Sequence, residues 1–535
     1  MLLEGVQERV ADLLLTCSGG IPSATVTDIT VTLNAPLAAC EPQLIINGPN
    51  SSETTVDTFQ GILESDSVKF RAVSFRYPGN GTLTFRITNV RIDASRLPEQ
   101  LAPVIMVASA ASFPIIDSVQ TVGLLRNASP KRDAVQGTAI SSPFTCRSAV
   151  AVPFLVRGEG LTELVADLIL GCTGGTPTAV GAPVPTADVK VLLSTNLSGR
   201  LNNVDFSEAL LLIDEPAPAQ QIACTPGPCA VTGAGASGVN FLNGSNPNVF
   251  QARQTVVNGL TWFNVPIDPP GQGLTRNFRL TNIRANAAQL GISTSLIPIQ
   301  VSAFVIIGGT PGVVINNPQQ TLAFTGSGQS STLTDAAGIT VSNLSFAQSG
   351  GANTNLISSS TATGGTGNYY LSVREGFANA FKRRNFSTTT TASQNTPGSI
   401  YNTETGFYNP TFTPTNGLNS AGLASQGTRI AARFNNIPAG VTLYVSVNPV
   451  NTTSANIVLV STDSSGSGAY SPISQTTTAL FGATIFGIAP IAITNGSGMA
   501  VWEVVSGDDP LSVQTFNFGI VAAYASPLAP GTVTA

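Results

Sequence analysis

Glu4-Gly5-Val6-Gln7-Glu8-Arg9-Val10-Ala11-Asp12-Leu13-Leu14-Leu15-Thr16-Cys17-Ser18-Gly19-Gly20 recurs as Glu159-Gly160-Leu161-Thr162-Glu163-Leu164-Val165-Ala166-Asp167-Leu168-Ile169-Leu170-Gly171-Cys172-Thr173-Gly174-Gly175, at an offset of 155 residues and without a gap. A second pair follows in the same order. Phe85-Arg86-Ile87-Thr88-Asn89-Val90-Arg91 recurs as Phe278-Arg279-Leu280-Thr281-Asn282-Ile283-Arg284, at an offset of 193, so the second copy carries about 38 more residues between its two motifs. Two motifs repeated in order identify two copies of one domain.

Within each copy the apolar residues alternate as they do along a half-buried strand. Thr27-Asp28-Ile29-Thr30-Val31-Thr32-Leu33, Thr82-Leu83-Thr84-Phe85-Arg86-Ile87-Thr88 and the run Asp188-Val189-Lys190-Val191-Leu192-Leu193 carry this pattern. Clusters such as Pro78-Gly79-Asn80-Gly81 and Pro269-Pro270-Gly271-Gln272-Gly273 have turn chemistry, and no long helical period competes. The expectation is all-β: tandem Ig-like β-sandwich domains, two homologous copies plus a distinct C-terminal β-domain. Residues 1–140 make the first copy and 141–325 the second. Residues 326–535 make a Ser/Thr/Gly-rich linker and the last domain. Its strands are expected at Thr428–Phe434, Thr442–Val447, Ala500–Val505 and Phe516–Val521, with a short helix over Arg374–Lys382.

Composition excludes several classes. The 535 residues contain no His, which removes Ser-His and Cys-His catalysis, His-ligated metal sites and an imidazole switch. Net charge is −5 from 24 basic and 29 acidic residues, and the longest basic cluster is Lys382-Arg383-Arg384, so nucleic acid is not an expected partner. Charged residues are 10% of the chain, and Ser, Thr, Asn, Gln and Gly take their place. The most apolar run, Leu480–Ile493, is interrupted by Gly482, Gly487 and Pro490 and is too short to cross a bilayer, so no membrane insertion is expected. No signal peptide is visible in Met1–Gly5. No cofactor is expected.

The paired Glu-Gly…Ala-Asp-Leu…Cys-x-Gly-Gly elements, with Glu375-Gly376-Phe377-Ala378-Asn379-Ala380-Phe381-Lys382, resemble motifs of uncharacterised large extracellular β-rich repeat proteins of soil bacteria. The resemblance covers most of the chain. It implies secretion and a repeated β-rich plan, and carries no activity. Met1 aligns with Val156, so copy one is expected to lack a counterpart of Pro143–Leu155, including Cys146 and the strand-like Ala149–Val152.

Six dispersed Cys suit an oxidising compartment, extracellular or at the cell surface. Cys224 and Cys229 flank a Pro-Gly turn and are candidates for a local disulfide. Cys146 and Cys172 are a second candidate pair. Cys17 has Cys40 as its nearest remaining candidate.

Acidic residues are the candidates for chemistry, since glycosidases need only two carboxylates. Asp508-Asp509 near Glu503 is the densest acidic spot, with an ordinary turn as the simpler reading. Asp214-Glu215-Pro216 reads as a strand end, and the repeated Asp12 and Asp167 as capping residues. Arg86, Arg91, Arg279 and Arg284 read as a solvated face with carboxylate partners. Trp262 reads as core, with Phe75 at the equivalent place in copy one. Tyr369, Tyr370, Tyr401 and Tyr408 lie in Asn- and Gly-rich sequence and are expected to be exposed, as candidates for stacking on surface glycans. Sequons begin at Asn50, Asn80, Asn127, Asn196, Asn243, Asn343, Asn385, Asn451 and Asn495.

The expected function is that of a non-enzymatic extracellular structural or adhesive protein that self-associates as a homo-oligomer or filament subunit, joined by a strand from a neighbouring chain. The alternative is a carbohydrate-binding cell-surface protein.

Overall fold

The computed structural model describes residues 7–19, 23–47, 57–64, 66–76, 79–96, 103–111, 115, 119–124, 143–150, 152–201, 205–224, 229–236, 238–293, 297–308, 313–335, 337–342, 344, 369–385, 401, 403–409, 421–452, 456–463, 466–480, 483–507 and 509–524. The turn residue Pro78, the linker residues 345–368, Asp508 and the sequons at Asn50, Asn127 and Asn343 lie outside them. The chain forms two compact units. One holds Met1–Phe154, Gly160–Thr325 and Asn409–Ala421, and the other holds Leu155–Glu159, Gly326–Tyr408 and Gly422–Ala535.

Both copies lie in the first unit, and both are two-sheet sandwiches. In copy one, one sheet runs in the order Val119–Leu124, Pro103–Ala110, Ala24–Leu33, Ser67–Arg76, Ile62–Leu63, and the other Leu13–Gly19, Gly79–Thr88, Gln43–Asn47, Asp57–Gln60. Copy two repeats this plan. Gln319–Gly326, Ile299–Gly308, Thr186–Leu193 and Gly259–Pro266 make one sheet; Phe206–Ile213, Gly271–Thr281, Leu168–Gly174 and Thr145–Val150 make the other. The strand Val249–Val256 pairs with Phe206–Ile213 at its start and with Gly259–Pro266 at its end, so it carries the chain from one sheet to the other. In copy one Asp57–Gln60 and Ile62–Leu63 divide that task on either side of Gly61.

Period-two alternation places the core. Leu13, Leu15, Ile29, Val31, Phe70, Phe85 and Ile87 of copy one are buried in one cluster between its sheets. Register locates equivalent residues: Ile29 faces Phe70 as Val189 faces Trp262. Phe70, rather than Phe75, is therefore the counterpart of the fully buried Trp262. Phe75 instead packs edge-on against Phe85, with ring centroids 5.2 Å apart.

A β-bulge is duplicated as well. The register shifts between Thr27 and Ile29 in copy one and between Ala187 and Val189 in copy two. The extra residue takes left-handed backbone in both, Ala72 at φ 50° and Asn264 at φ 53°. A carboxylate holds each one: the Ala72 amide donates to Asp28 Oδ1 at 2.9 Å, and the Asn264 amide to Asp188 Oδ1 at 3.0 Å.

The copies also touch one another. Strand Pro103–Ala110 is apolar on both faces. Val104, Met106 and Ala108 enter its own core, while Ile105 and Val107 pack with Leu192, Phe304 and Ile306 of copy two. Continuous apolar sequence is what a strand buried on both faces requires. Lys190 Nζ closes this contact on Asp66 at 2.6 Å.

The second unit is a different sandwich. One sheet runs Gln329–Asp335, Tyr369–Glu375, Thr515–Tyr524, Val441–Ser446, Ile488–Pro490, and the other Arg429–Phe434, Ser497–Ser506, Asn456–Leu459. Trp502 stacks on Phe518 at 4.2 Å between them and donates Nε1–H to Ser446 O at 2.8 Å. The helix expected over Arg374–Lys382 is absent: Tyr369–Glu375 is strand, and the chain then turns. The buried Glu375 carboxylate drives that turn by accepting from the Phe381 amide at 2.8 Å, while Asn379 takes φ 64°.

Left-handed backbone costs an alanine about 1 kcal/mol that asparagine largely avoids. Ala72→Asn, which gives copy one the residue of copy two, is therefore expected to raise stability by up to about 1 kcal/mol, and Asp28→Ala to lower it by about 1 kcal/mol through the lost hydrogen bond. Urea denaturation midpoints check both.

Candidate functional site

The charged side chains of copy two point inward. Arg279, on the strand Gly271–Thr281, is fully buried and lies 2.6 Å from Asp167 Oδ2 and 3.3 Å from Glu215 Oε2. Arg284 donates to the buried Glu208 at 2.9 Å. Arg276 binds Asp214, donates to Val239 O at 3.0 Å and covers the Phe241 ring at 4.7 Å. The solvated-face reading of these arginines is thus corrected for copy two. Two of them meet the longer connection of copy two, residues 214–248, where copy one has residues 48–56: Arg279 meets Glu215, and Arg276 meets Asp214, Val239 and Phe241. In copy one Arg86 remains 52% exposed while holding Asp12, so there the reading stands. The position of Arg276 is taken by the buried Leu83, since Cys172 faces Arg276 as Cys17 faces Leu83.

Asp268 ties the long connection down. Its fully buried carboxylate accepts from the Thr178 amide at 2.9 Å and the Val239 amide at 2.5 Å. Asp214 and Glu215 both take left-handed backbone, φ 58° and 52°, as the strand ends. Burial pushes both carboxyls above their ordinary pKa, and the charges of Arg276 and Arg279 only partly offset it. Asp12 goes the other way: burial raises it, but hydrogen bonds from Arg86, Thr88 and Arg9 and the charge of Arg86 outweigh burial and leave it below the usual carboxylate range.

The acidic spot of the second unit is also structural. Glu503 is fully buried between Arg384 at 2.9 Å and Arg429 at 3.0 Å, and accepts from the Gly427 amide at 2.9 Å. Asp509 is exposed and caps a turn through Leu511 N at 3.0 Å and Ser512 Oγ at 2.6 Å; those bonds lower its pKa. The two acids do not converge.

The tyrosines depart from expectation. Tyr401 and Tyr369 are buried, and Tyr370 and Tyr408 are half-buried. Tyr369 joins the apolar core of its sandwich, because its strand is central in the sheet rather than part of a loop. No exposed row of four rings is formed. The Asn451 side chain is occupied as well, bonded to Thr515 O and Asn517 N at 2.8 Å each.

Cys146 is bonded to Cys172 and Cys224 to Cys229. Cys17 and Cys40 are free thiols and are not joined. Cys17 faces Leu83, whereas Cys40 precedes Gln43, which faces Thr88. Burial pushes the Cys17 thiol pKa up.

Several structural acids were not singled out in the sequence: Asp28, Asp188, Glu208, Asp268 and Glu375. Asp28 and Asp188 had a signal, since each opens the same apolar strand in its copy. Asp268 and its partner Arg276 had none, because copy one has no matching pair. Among the described residues no three Cys, Asp or Glu side chains gather as a metal cage, and no helix is long and apolar enough to cross a membrane.

No protein-family model matches the chain, and no curated protein matches it in sequence. Among solved structures it is similar to the B domain of a biofilm-associated protein, at 9% identity and TM-score 0.17, over 59% of this chain and 85% of that one. It is similar to the BSP domain of a biofilm-associated protein at 7% identity and TM-score 0.17, over 96% and 81%. The C-terminal domain of the Streptococcus agalactiae AgI/II polypeptide BspA matches at 9% identity and TM-score 0.14, over 60% and 96%. Nothing about the activity of this chain follows from scores this low.

Removing one member of a buried ion pair strands the other charge, at a cost of about 3–5 kcal/mol, whereas replacing both with apolar groups is often near neutral. Asp167→Leu alone and Arg279→Met alone are expected to destabilise by about that much, and the double variant by clearly less than either. The exposed Asp12–Arg86 pair should cost about 1 kcal/mol or less when cut. Chemical denaturation of the four variants checks the contrast.

Because Asp12 has a lowered folded pKa, its contribution is complete above the ordinary carboxylate range and is lost as pH falls through the folded value. The stability gap between wild type and Asp12→Asn is expected to be widest near neutral pH and to close in acid. Denaturation midpoints measured across that range check the sign.

Proposed function

We propose that this is an extracellular structural or adhesive protein that acts by shape and contact, without catalysis, and joins further chains by strand addition. The observation that carries the reading is where the polar chemistry goes. The carboxylates a hydrolase would use, Glu503, Asp167, Glu208 and Asp268, are turned inward onto arginines and backbone amides. They hold the sandwiches rigid. Two disulfides inside the first unit support an oxidising location outside the cytoplasm.

Strand addition is supported by the edge of copy one. The strand Leu13–Gly19 pairs on one side with Gly79–Thr88, and among the described residues no strand pairs with its other side. It carries no charged residue and no proline. Natural edges are normally blunted by Lys, Pro or a bulge to prevent such joining; here the one irregularity is a register shift at the strand's end, between Ser18 and Gly19. Glycan stacking by the tyrosines finds less support, with Tyr401 and Tyr369 inside the core.

Static light scattering over a concentration series, with negative-stain electron microscopy, tests the reading. A mass that rises with concentration and ordered fibres are expected. A monomer at every concentration would dismiss self-association, and turnover of glycoside or peptide substrates would dismiss the non-enzymatic reading.

A further inference from the structure

We propose that the open edge of copy one is a docking site for an extended, cysteine-bearing strand of another polypeptide, which Cys17 then locks by a disulfide. This rests on the strand-addition reading above and names the chemistry of the partner. Copy two supplies the template. There the edge strand Leu168–Gly174 is covered antiparallel by Thr145–Val150, with Cys172 directly opposite and bonded to Cys146. The repeat places Cys17 at the position of Cys172, on a strand whose same side carries no partner among the described residues.

A second residue points the same way. The Ala11 amide donates to Val122 O as the Ala166 amide donates to Leu322 O, which makes Gln120 the equivalent of Gln320. Gln320 Nε2 holds the covering strand, donating to Ser148 O at 3.2 Å and Ser148 Oγ at 3.0 Å. Gln120 Nε2 instead reaches a single, long 3.4 Å bond to Leu14 O, on the edge strand itself. The thiol and the amide that grip a strand in copy two are thus both present in copy one, and among the described residues neither meets such a strand. The partner therefore resembles Thr145-Cys146-Arg147-Ser148-Ala149-Val150: extended, antiparallel, with cysteine opposite Cys17 and a small hydroxyl residue two positions further on.

The locking step is thiol–disulfide exchange with an incoming cysteine that carries a small thiol as a mixed disulfide. Cys17, as thiolate, attacks the sulfur of the incoming cysteine. The Cys17–cysteine bond forms, the bond to the small thiol breaks, and the small thiol leaves with the electron pair and takes up the proton.

The probe is a synthetic peptide of residues 143–152 whose cysteine carries 5-thio-2-nitrobenzoate, added to the full chain. Adduct at Cys17, mapped by mass spectrometry, is expected to form at least tenfold faster than with a scrambled peptide, and Cys40 is expected to stay unlabelled. Gln120→Ala should slow the reaction several-fold, and Cys17→Ser should abolish the adduct while the chain stays folded by circular dichroism. Equal rates for native-order and scrambled peptides, or labelling at Cys40 instead, would overturn the proposal. A Cys→Ala version of the peptide, followed by fluorescence polarisation, separates the two ideas. If it binds while the cysteine peptide forms no adduct, the lock fails and strand addition stands; if neither binds, both fail.

Discussion

Arg279 of the strand Gly271–Thr281 constrains much of the first unit. A guanidinium inside a sandwich is tolerable only where carboxylates meet it, so burying Arg279 requires Asp167 at the foot of the neighbouring strand and Glu215 just past another. Those requirements bear on three strands and one connection together. A slip of one residue in register would turn Arg279 to the other face and leave Asp167 buried alone. The pair therefore acts on specificity of register more than on net stability, because apolar packing would serve stability as well. Copy one shows the same pair in a wetter setting, where Arg86 is half exposed and the penalty for a wrong register is correspondingly smaller.

Duplication made the plan legible in the sequence. The motifs around Cys17 and Cys172, and around Arg86 and Arg279, lie on adjacent paired strands in each copy, so finding them twice amounted to finding one sheet twice. Alternation then placed the core faces of Ala24–Leu33 and Thr515–Tyr524. What pattern could not show was depth. Arg279 and Arg86 look alike along the chain, yet one is fully buried, meeting Glu215 at the start of the longer connection, and the other is half exposed. The tyrosines failed for a related reason. Asn- and Gly-rich surroundings describe backbone conformation, whereas burial of Tyr401 depends on contacts that local composition does not encode. Glu375 shows the local version: a helical-looking segment lost to a buried carboxylate that needs amide donors.

The apolar contact between the copies explains a feature of composition. Pro103–Ala110 has no outward polar face because Ile105 and Val107 meet Leu192, Phe304 and Ile306. Two copies joined this way cover part of a face of each sandwich and leave their remaining edges to manage. Copy two covers its Leu168–Gly174 edge with Thr145–Val150, and a short parallel strand, Val314–Asn316, covers that one in turn.

Copy one has the same edge without either cover among its described residues, and this asymmetry is informative because so much else is symmetrical. The bulge at Ala72, the carboxylate that holds it, the Asp12–Arg86 pair and the left-handed Asn89 all have exact positional mates in copy two. Arg276, by contrast, has Leu83 at its place in copy one. Cys17 and Gln120 nonetheless occupy the places of the two residues that grip a strand in copy two. On the proposed reading, an uncharged edge carrying the means to hold a strand is one that receives a strand.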